Sequence, residues 1–125
     1  MATIALTTTG VTFRPSNRHI TAVYTDGTSA WVGTDNGEVH KFTLATGAYV
    51  EKLIQVSGKV LSFALSGTQL LIGTDEGKVY EYVLSTGACT EVELYLDSPV
   101  TAMSINSTTI VVCTADGKIR TYTIA

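Results

Sequence analysis

Charge is scarce in this sequence, and what there is lies scattered. Eight basic and eleven acidic side chains among 125 residues leave a net charge of -3, with no basic stripe. Several phosphates cannot be neutralised by such a chain, so neither nucleic acid nor an anionic membrane is expected as a partner. Long apolar runs are missing too. None approaches the roughly 18 residues that a membrane span requires, and Met1-Ala2-Thr3-Ile4 places no basic segment ahead of an apolar one. A cytoplasmic protein is the expectation. The two cysteines, Cys89 and Cys113, form no Cys-x-x-Cys pair and have no histidine cluster beside them. Both are expected as reduced thiols in the core, with a disulfide between them as the alternative.

Catalytic groups are equally sparse. His19 and His40 are the only histidines, no Ser or Cys stands in a nucleophile elbow, and no glycine-rich loop leads into a helical pattern. Neither cysteine has a basic neighbour that would activate it. No enzyme activity, cofactor or metal is expected.

What is present is apolar content and a period. Hydrophobic residues make up 45% of the chain, enough for the core of one domain. Gly73-Thr74-Asp75-Glu76-Gly77 recurs forty residues earlier as Gly33-Thr34-Asp35-Asn36-Gly37 and forty later as Cys113-Thr114-Ala115-Asp116-Gly117. Between these signals lie short β-branched and aromatic runs. In the first unit they are Ile20 to Tyr24, Ala30 to Gly33, Val39 to Leu44 and Tyr49 to Val56, each ended by a glycine beside a short polar residue. That is hairpin chemistry, so four antiparallel strands per unit are predicted. The same plan fills 60–99, whereas 100–125 stops after three strands. Val39, Val79 and Ile119 correspond, as do Phe42, Tyr82 and Tyr122, and Trp31, Leu71 and Val111, which marks Trp31 as a core residue. A forty-residue period of small sheets is the pattern of a β-repeat array.

Two stretches carry a resemblance to known families. Residues 110 to 122, Ile-Val-Val-Cys-Thr-Ala-Asp-Gly-Lys-Ile-Arg-Thr-Tyr, resemble the end of a WD40 repeat with Tyr122 at the usual tryptophan. Residues 71 to 87 are similar to a quinoprotein-type repeat as well. The resemblance implies an all-β chain of four-stranded β-propeller blades: 20–59 is blade 1, 60–99 blade 2, and 100–125 a blade 3 that lacks its fourth strand. Residues 1–19 supply a closing strand and a linker. The WD40 Gly-His and Trp-Asp pairs are absent, so these blades depend on apolar packing rather than on that family's buried polar network.

About four to eight blades close a propeller, and three do not. An open fan leaves apolar sheet ends uncovered, so a homodimer forming a six-bladed ring is expected. Gly10 to Arg14 follows a Thr-Gly turn like the other fourth strands. Val11, Thr12 and Phe13 of one copy are therefore expected to pair with the third blade of the other, beside Ile119 and Tyr122.

Two sets of residues are candidates for recognition. The acidic turn residues Asp35, Asp75, Glu76 and Asp116 would share one rim, as a cation site or as plain turn chemistry; the spacing is not that of an EF-hand loop, which favours the turns. The blade-connecting linkers lie on that rim too, and nominate Arg14, Arg18, His19, Tyr95 and Asp97 for an unknown protein partner. The function this supports is a non-enzymatic interaction scaffold. A structural building block of a coat or virion, a glycan-binding propeller, or part of a larger propeller are the other readings.

Overall fold

The computed structural model of the chain describes residues 5–6, 18–92, 94, 96–106 and 108–123. Every regular element among them is a strand, and the strands form three separate antiparallel sheets. The first holds β1 (Ile20–Thr25), β2 (Ser29–Thr34), β3 (Glu38–Thr43) and β4 (Tyr49–Gln55) in that order. The second repeats it with β5 (Val60–Ser66), β6 (Gln69–Thr74), β7 (Val79–Val83) and β8 (Cys89–Val92). The third contains β9 (Val100–Asn106), β10 (Thr109–Thr114) and β11 (Ile119–Thr123).

Register repeats along with order. Val32 stands opposite Val23 and His40, Ile72 opposite Phe63 and Tyr80, and Val112 opposite Met103 and Arg120. Positions forty apart therefore occupy the same place in successive sheets, and each sheet is one blade. Turn chemistry fixes the period. Gly77 sits at φ +76°, a left-handed conformation open to glycine, and a Cβ there would lie 2.6 Å from the Leu96 carbonyl oxygen. Beside it, the Thr74 hydroxyl donates to the Lys78 carbonyl and accepts from the Lys78 amide, and Thr34 stands in the same relation to Glu38.

Strand residues alternate between the two faces of a blade, so each middle strand contributes to two contacts. Trp31 and Val39 face blade 2, where they pack with Val60, Phe63, Leu70, Ile72 and Tyr82. Leu71 and Val79 do the same towards blade 3, meeting Val100 and Val112 with Met103, Ile110 and Tyr122 around them. Trp31 is 1% exposed, a core residue as its alignment suggests, though its indole N–H finds no hydrogen-bond partner among the described residues.

Adjacent blades approach most closely at their inner strands. A Cβ on Gly33 would lie 2.6 Å from the Val60 Cβ, and one on Gly73 would lie 2.6 Å from the Val100 Cγ1. Bare backbone at these two positions lets the next blade's first strand seat directly on the sheet. A hydroxyl secures each seat: Thr21 donates to the Val60 carbonyl, and Ser62 donates to the Val100 carbonyl at 3.2 Å.

Three expectations need separate mention. Cys89 is exposed on the outer strand β8 rather than packed in the core, and it and Cys113 are both free, so there is no disulfide. The reason is position: an outermost strand has a neighbour on one edge only. Val11, Thr12 and Phe13 lie outside the described residues. Finally, no helix among the described residues is long and apolar enough to cross a membrane.

Candidate interaction surfaces

The first surface is the rim built from linkers and β2–β3-type turns. The backbone brings them together in every blade, since Asp35 donates its amide to the His19 carbonyl, Asp75 to Lys59 and Ala115 to Pro99, at 3.0, 3.0 and 2.9 Å. Side chains reinforce the link. Arg18 Nε pairs with Asp35 Oδ1 at 3.1 Å, the Lys59 amide donates to Asp75 Oδ1 at 2.8 Å, and Ser57 donates to Glu76 at 2.7 Å. In blade 3, Ser98 Oγ accepts from the Asp116 amide at 3.1 Å. The Thr114 hydroxyl, donating to the Asp116 carboxylate, holds the pKa of that group below its ordinary value.

The carboxylates of Asp35, Asp75 and Glu76 are occupied in tying turns to linkers, whereas that of Asp116 is held within its own turn by Thr114 and Lys118. Among the described residues no three His, Cys, Asp or Glu side chains are grouped to hold a metal. Of the nominated recognition residues, Arg18, His19 and Asp97 are exposed on the linkers, and Arg18 reaches back to the turn of its own blade. Arg14 and Tyr95 lie outside the described residues.

The second surface is the pair of end faces, and the repeat itself measures how far each is open. Ile20 is the counterpart of Val60 and Val100, which are each 0% exposed under the preceding blade; Ile20 is 50% exposed. Val23 is 69% exposed where its counterpart Phe63 is 6%. At the far end, Ile119 is 72% exposed, against 0% for Val39 and 2% for Val79. Thr101, Ala102, Ser104 and Thr121 are exposed on that face, with Val111 and Cys113 half-buried. Tyr122 points the other way, into the contact with blade 2. The two ends differ in extent. Blade 3 is open across its face, whereas blade 1 is open along β1 and at Tyr49 and Lys52 of β4, with Ala30, Val32, His40 and Phe42 between them on the same face buried.

Part of that burial comes from a cluster that the sequence did not reveal. His40 lies beside the Tyr49 hydroxyl, 3.2 Å from Nδ1, and beside Glu38 Oε1, 3.4 Å from Nε2, while Lys52 pairs with Glu38 at 3.8 Å. Tyr49 also meets Phe42 edge-on with ring centroids 5.3 Å apart. Tyr80 and Arg120 hold the corresponding positions in the other blades, so the period carried no sign of it.

A third feature lies between two blades and is partly open to solvent. Between blades 2 and 3 is a cavity of about 380 Å³ lined by Leu71, Val79, Met103, Ile110, Val112 and Tyr122 among others. In the contact between blades 1 and 2, the larger Trp31 and Phe63 stand at the places of Leu71 and Met103. Its polar side carries Glu81, which accepts from Gln69 Nε2 at 3.2 Å.

No protein-family model matches the chain, and no curated protein matches it. Solved structures do. The β-propeller domain of Cps50 (Swd1) from Myceliophteria thermophila aligns at a TM-score of 0.73 and 23% identity over 88% of this chain and 37% of that one. A chain of the mitotic checkpoint complex aligns at 0.77 and 14% identity, over 88% of this chain and 35% of its own. This chain therefore spans about a third of either. The computationally designed Ika4 protein aligns at 0.59 and 16% identity, over 96% of this chain and all of that one. These likenesses show the fold, and with the three repeated sheets they define the class: an all-β run of β-propeller blades.

Proposed function

We propose that the chain is a non-enzymatic protein-interaction scaffold that closes into a six-bladed propeller with a second copy of itself. The observation that carries this is the mismatch between equivalent positions. Apolar residues that are sealed at the internal contacts, Val60, Val100, Val39 and Val79, have counterparts Ile20 and Ile119 that are open at the two ends. An end that offers a first strand and an end that receives one are complementary, and two three-bladed chains give a ring size that propellers adopt. Val11, Thr12 and Phe13 would complete the partner's third blade along the edge of β11 that no other described strand pairs, covering that strand edge. The solved neighbours from a checkpoint complex and a designed chain of comparable extent favour a scaffold and a short propeller chain respectively. Linker residues Arg14, Arg18, His19, Tyr95 and Asp97 would then present a rim to a protein partner. Free thiols at Cys89 and Cys113 suit a reducing compartment such as the cytoplasm.

Head-to-tail contacts polymerise when the rotation does not close, which keeps a second reading, a building block of a larger assembly, in view. Sedimentation equilibrium decides. A species of twice the 13.3 kDa chain mass supports the closed ring, and a concentration-dependent ladder supports the building block. A single chain at micromolar concentration would refute both.

A further inference from the structure

From the internal contacts we infer how the joint between copies is made: Thr101, Cys113 and Ile119 of one copy receive Ile20 and Val23 of the other, with Cys113 holding this joint looser than the internal ones. The inference rests on the two-copy reading and adds to it the residues and the geometry.

Each internal joint has the same three parts. One is a glycine on the second strand of the receiving blade, Gly33 or Gly73, against which the valine that starts the next blade is seated. Another is a hydroxyl on the receiving blade's first strand that donates to that valine's carbonyl, Thr21 to Val60 and Ser62 to Val100. The last is the buried valine of the third strand, Val39 or Val79.

Blade 3 offers all three places. Thr101 stands where Thr21 does and already makes the contact Thr21 makes within its own blade: Thr21 Oγ1 donates to the Gly33 carbonyl at 3.3 Å, and Thr101 Oγ1 to the Cys113 carbonyl at 3.2 Å. Thr21 shares its proton with the next blade's carbonyl, and the Ile20 carbonyl of a second copy is the matching acceptor for Thr101. Ile119 supplies the apolar third-strand position.

Cys113 is the departure on the receiving blade; on the entering blade only Ile20 and Val23 are open to the joint, Ala30, Val32 and Phe42 of that face being buried within the chain. At Gly73 an added Cβ would come to 2.6 Å from the Val100 Cγ1, inside any real contact distance. Cys113 carries both a Cβ and a Sγ at that place, so Ile20 of the second copy cannot seat as deeply as Val60 or Val100. The joint between copies opens by roughly an ångström relative to its internal models, losing dispersion contact along its length. A ring of two copies contains this joint twice, so any substitution in it acts twice on the dimer.

The test measures dimer dissociation of the full chain together with thiol alkylation. Thr101→Val is expected to raise the Kd roughly 25-fold, about fivefold at each joint. Cys113→Gly, which restores the internal pattern, is expected to lower it by about an order of magnitude or more, and Cys113→Phe to abolish the dimer. Thr101 is exposed and Cys113 half-buried within one chain, so an unchanged circular dichroism spectrum should accompany each variant. In the wild type above its Kd, Cys113 is expected to be protected from iodoacetamide while the exposed Cys89 reacts, with protection lost on dilution. A wild-type chain that stays monomeric refutes the two-copy reading itself. A dimer in which Cys113 alkylates as fast as Cys89, or in which Cys113→Gly leaves the Kd unchanged or raises it, leaves that reading standing and overturns the joint.

Discussion

Gly73→Ala tests whether blade contacts are set by close backbone approach. Gly73 lies within β6 and has no left-handed φ, so alanine brings no backbone strain and should even help, since glycine in a strand costs roughly 0.5–1 kcal/mol against alanine. Opposing this is space. The new methyl would press closest on the Ser62 Oγ, and would stand 2.6 Å from the Val100 Cγ1 and 3.0 Å from its Cβ, whereas ordinary contact begins at about 3.4 Å. Val100 is 0% exposed and anchors the first strand of blade 3, so neither atom can swing aside without moving that strand. Overpacking of this kind costs about 1–3 kcal/mol. With the propensity gain deducted, a net loss of about 1–2 kcal/mol is expected, or roughly 4–8 °C in Tm for a chain of this size. Urea unfolding followed by Trp31 fluorescence reads the first quantity and a thermal melt the second. Val100→Ala added to Gly73→Ala should cost less than the two single changes summed, because the truncated side chain makes room. A Gly73→Ala chain as stable as the wild type would show that the glycine does not serve close approach, and strict additivity of the pair would shift the clash from Val100 to Ser62.

Three further outcomes follow from the same geometry. Leu71→Phe fills part of the cavity of about 380 Å³ between blades 2 and 3 without adding an unpaired N–H, and should stabilise by about 0.5–1 kcal/mol in urea; a loss of stability would mean that the space is not free for a side chain. Val11→Pro removes a ladder donor from the proposed closing strand, so it should weaken self-association several-fold in sedimentation while leaving the fold of blades 1 and 2 intact by circular dichroism; an unaltered mass distribution would exclude strand exchange at that residue. Asp116 is held below its ordinary pKa of 3.8, chiefly by the Thr114 hydroxyl, so its ionised form stabilises the fold above that value and the contribution disappears as pH falls through the lower, folded-state pKa. The stability gap between wild type and Asp116→Asn should therefore narrow from about pH 6 to about pH 2, and a constant gap would rule the linkage out.

The strands were legible because their determinants are local. Alternation with period two, a glycine beside Asp, Asn, Ser or Thr at each turn, and a forty-residue repeat locate the blades without any knowledge of packing. Even the open ends could be anticipated, since Ile119 stands in line with Val39 and Val79 in the sequence itself. Other features answer to neighbours far along the chain. Gly77 falls in a predicted turn and Gly73 at the end of a predicted strand, and Gly77 is a glycine for its φ of +76° whereas Gly73 is one for the nearness of Ser62 and Val100. Cys89 has the composition of a core residue but lies on an outer strand, where burial depends on what covers the edge. The His40–Tyr49–Glu38 cluster and the space beside Leu71 likewise arise from side chains meeting across strands and blades. The sequence by itself determined the repeat unit and its turns, through short-range conformational preference. Only the tertiary structure decided which positions must be small, which are sealed and which stand open, because those depend on the distance between blades and not on any one blade's own residues.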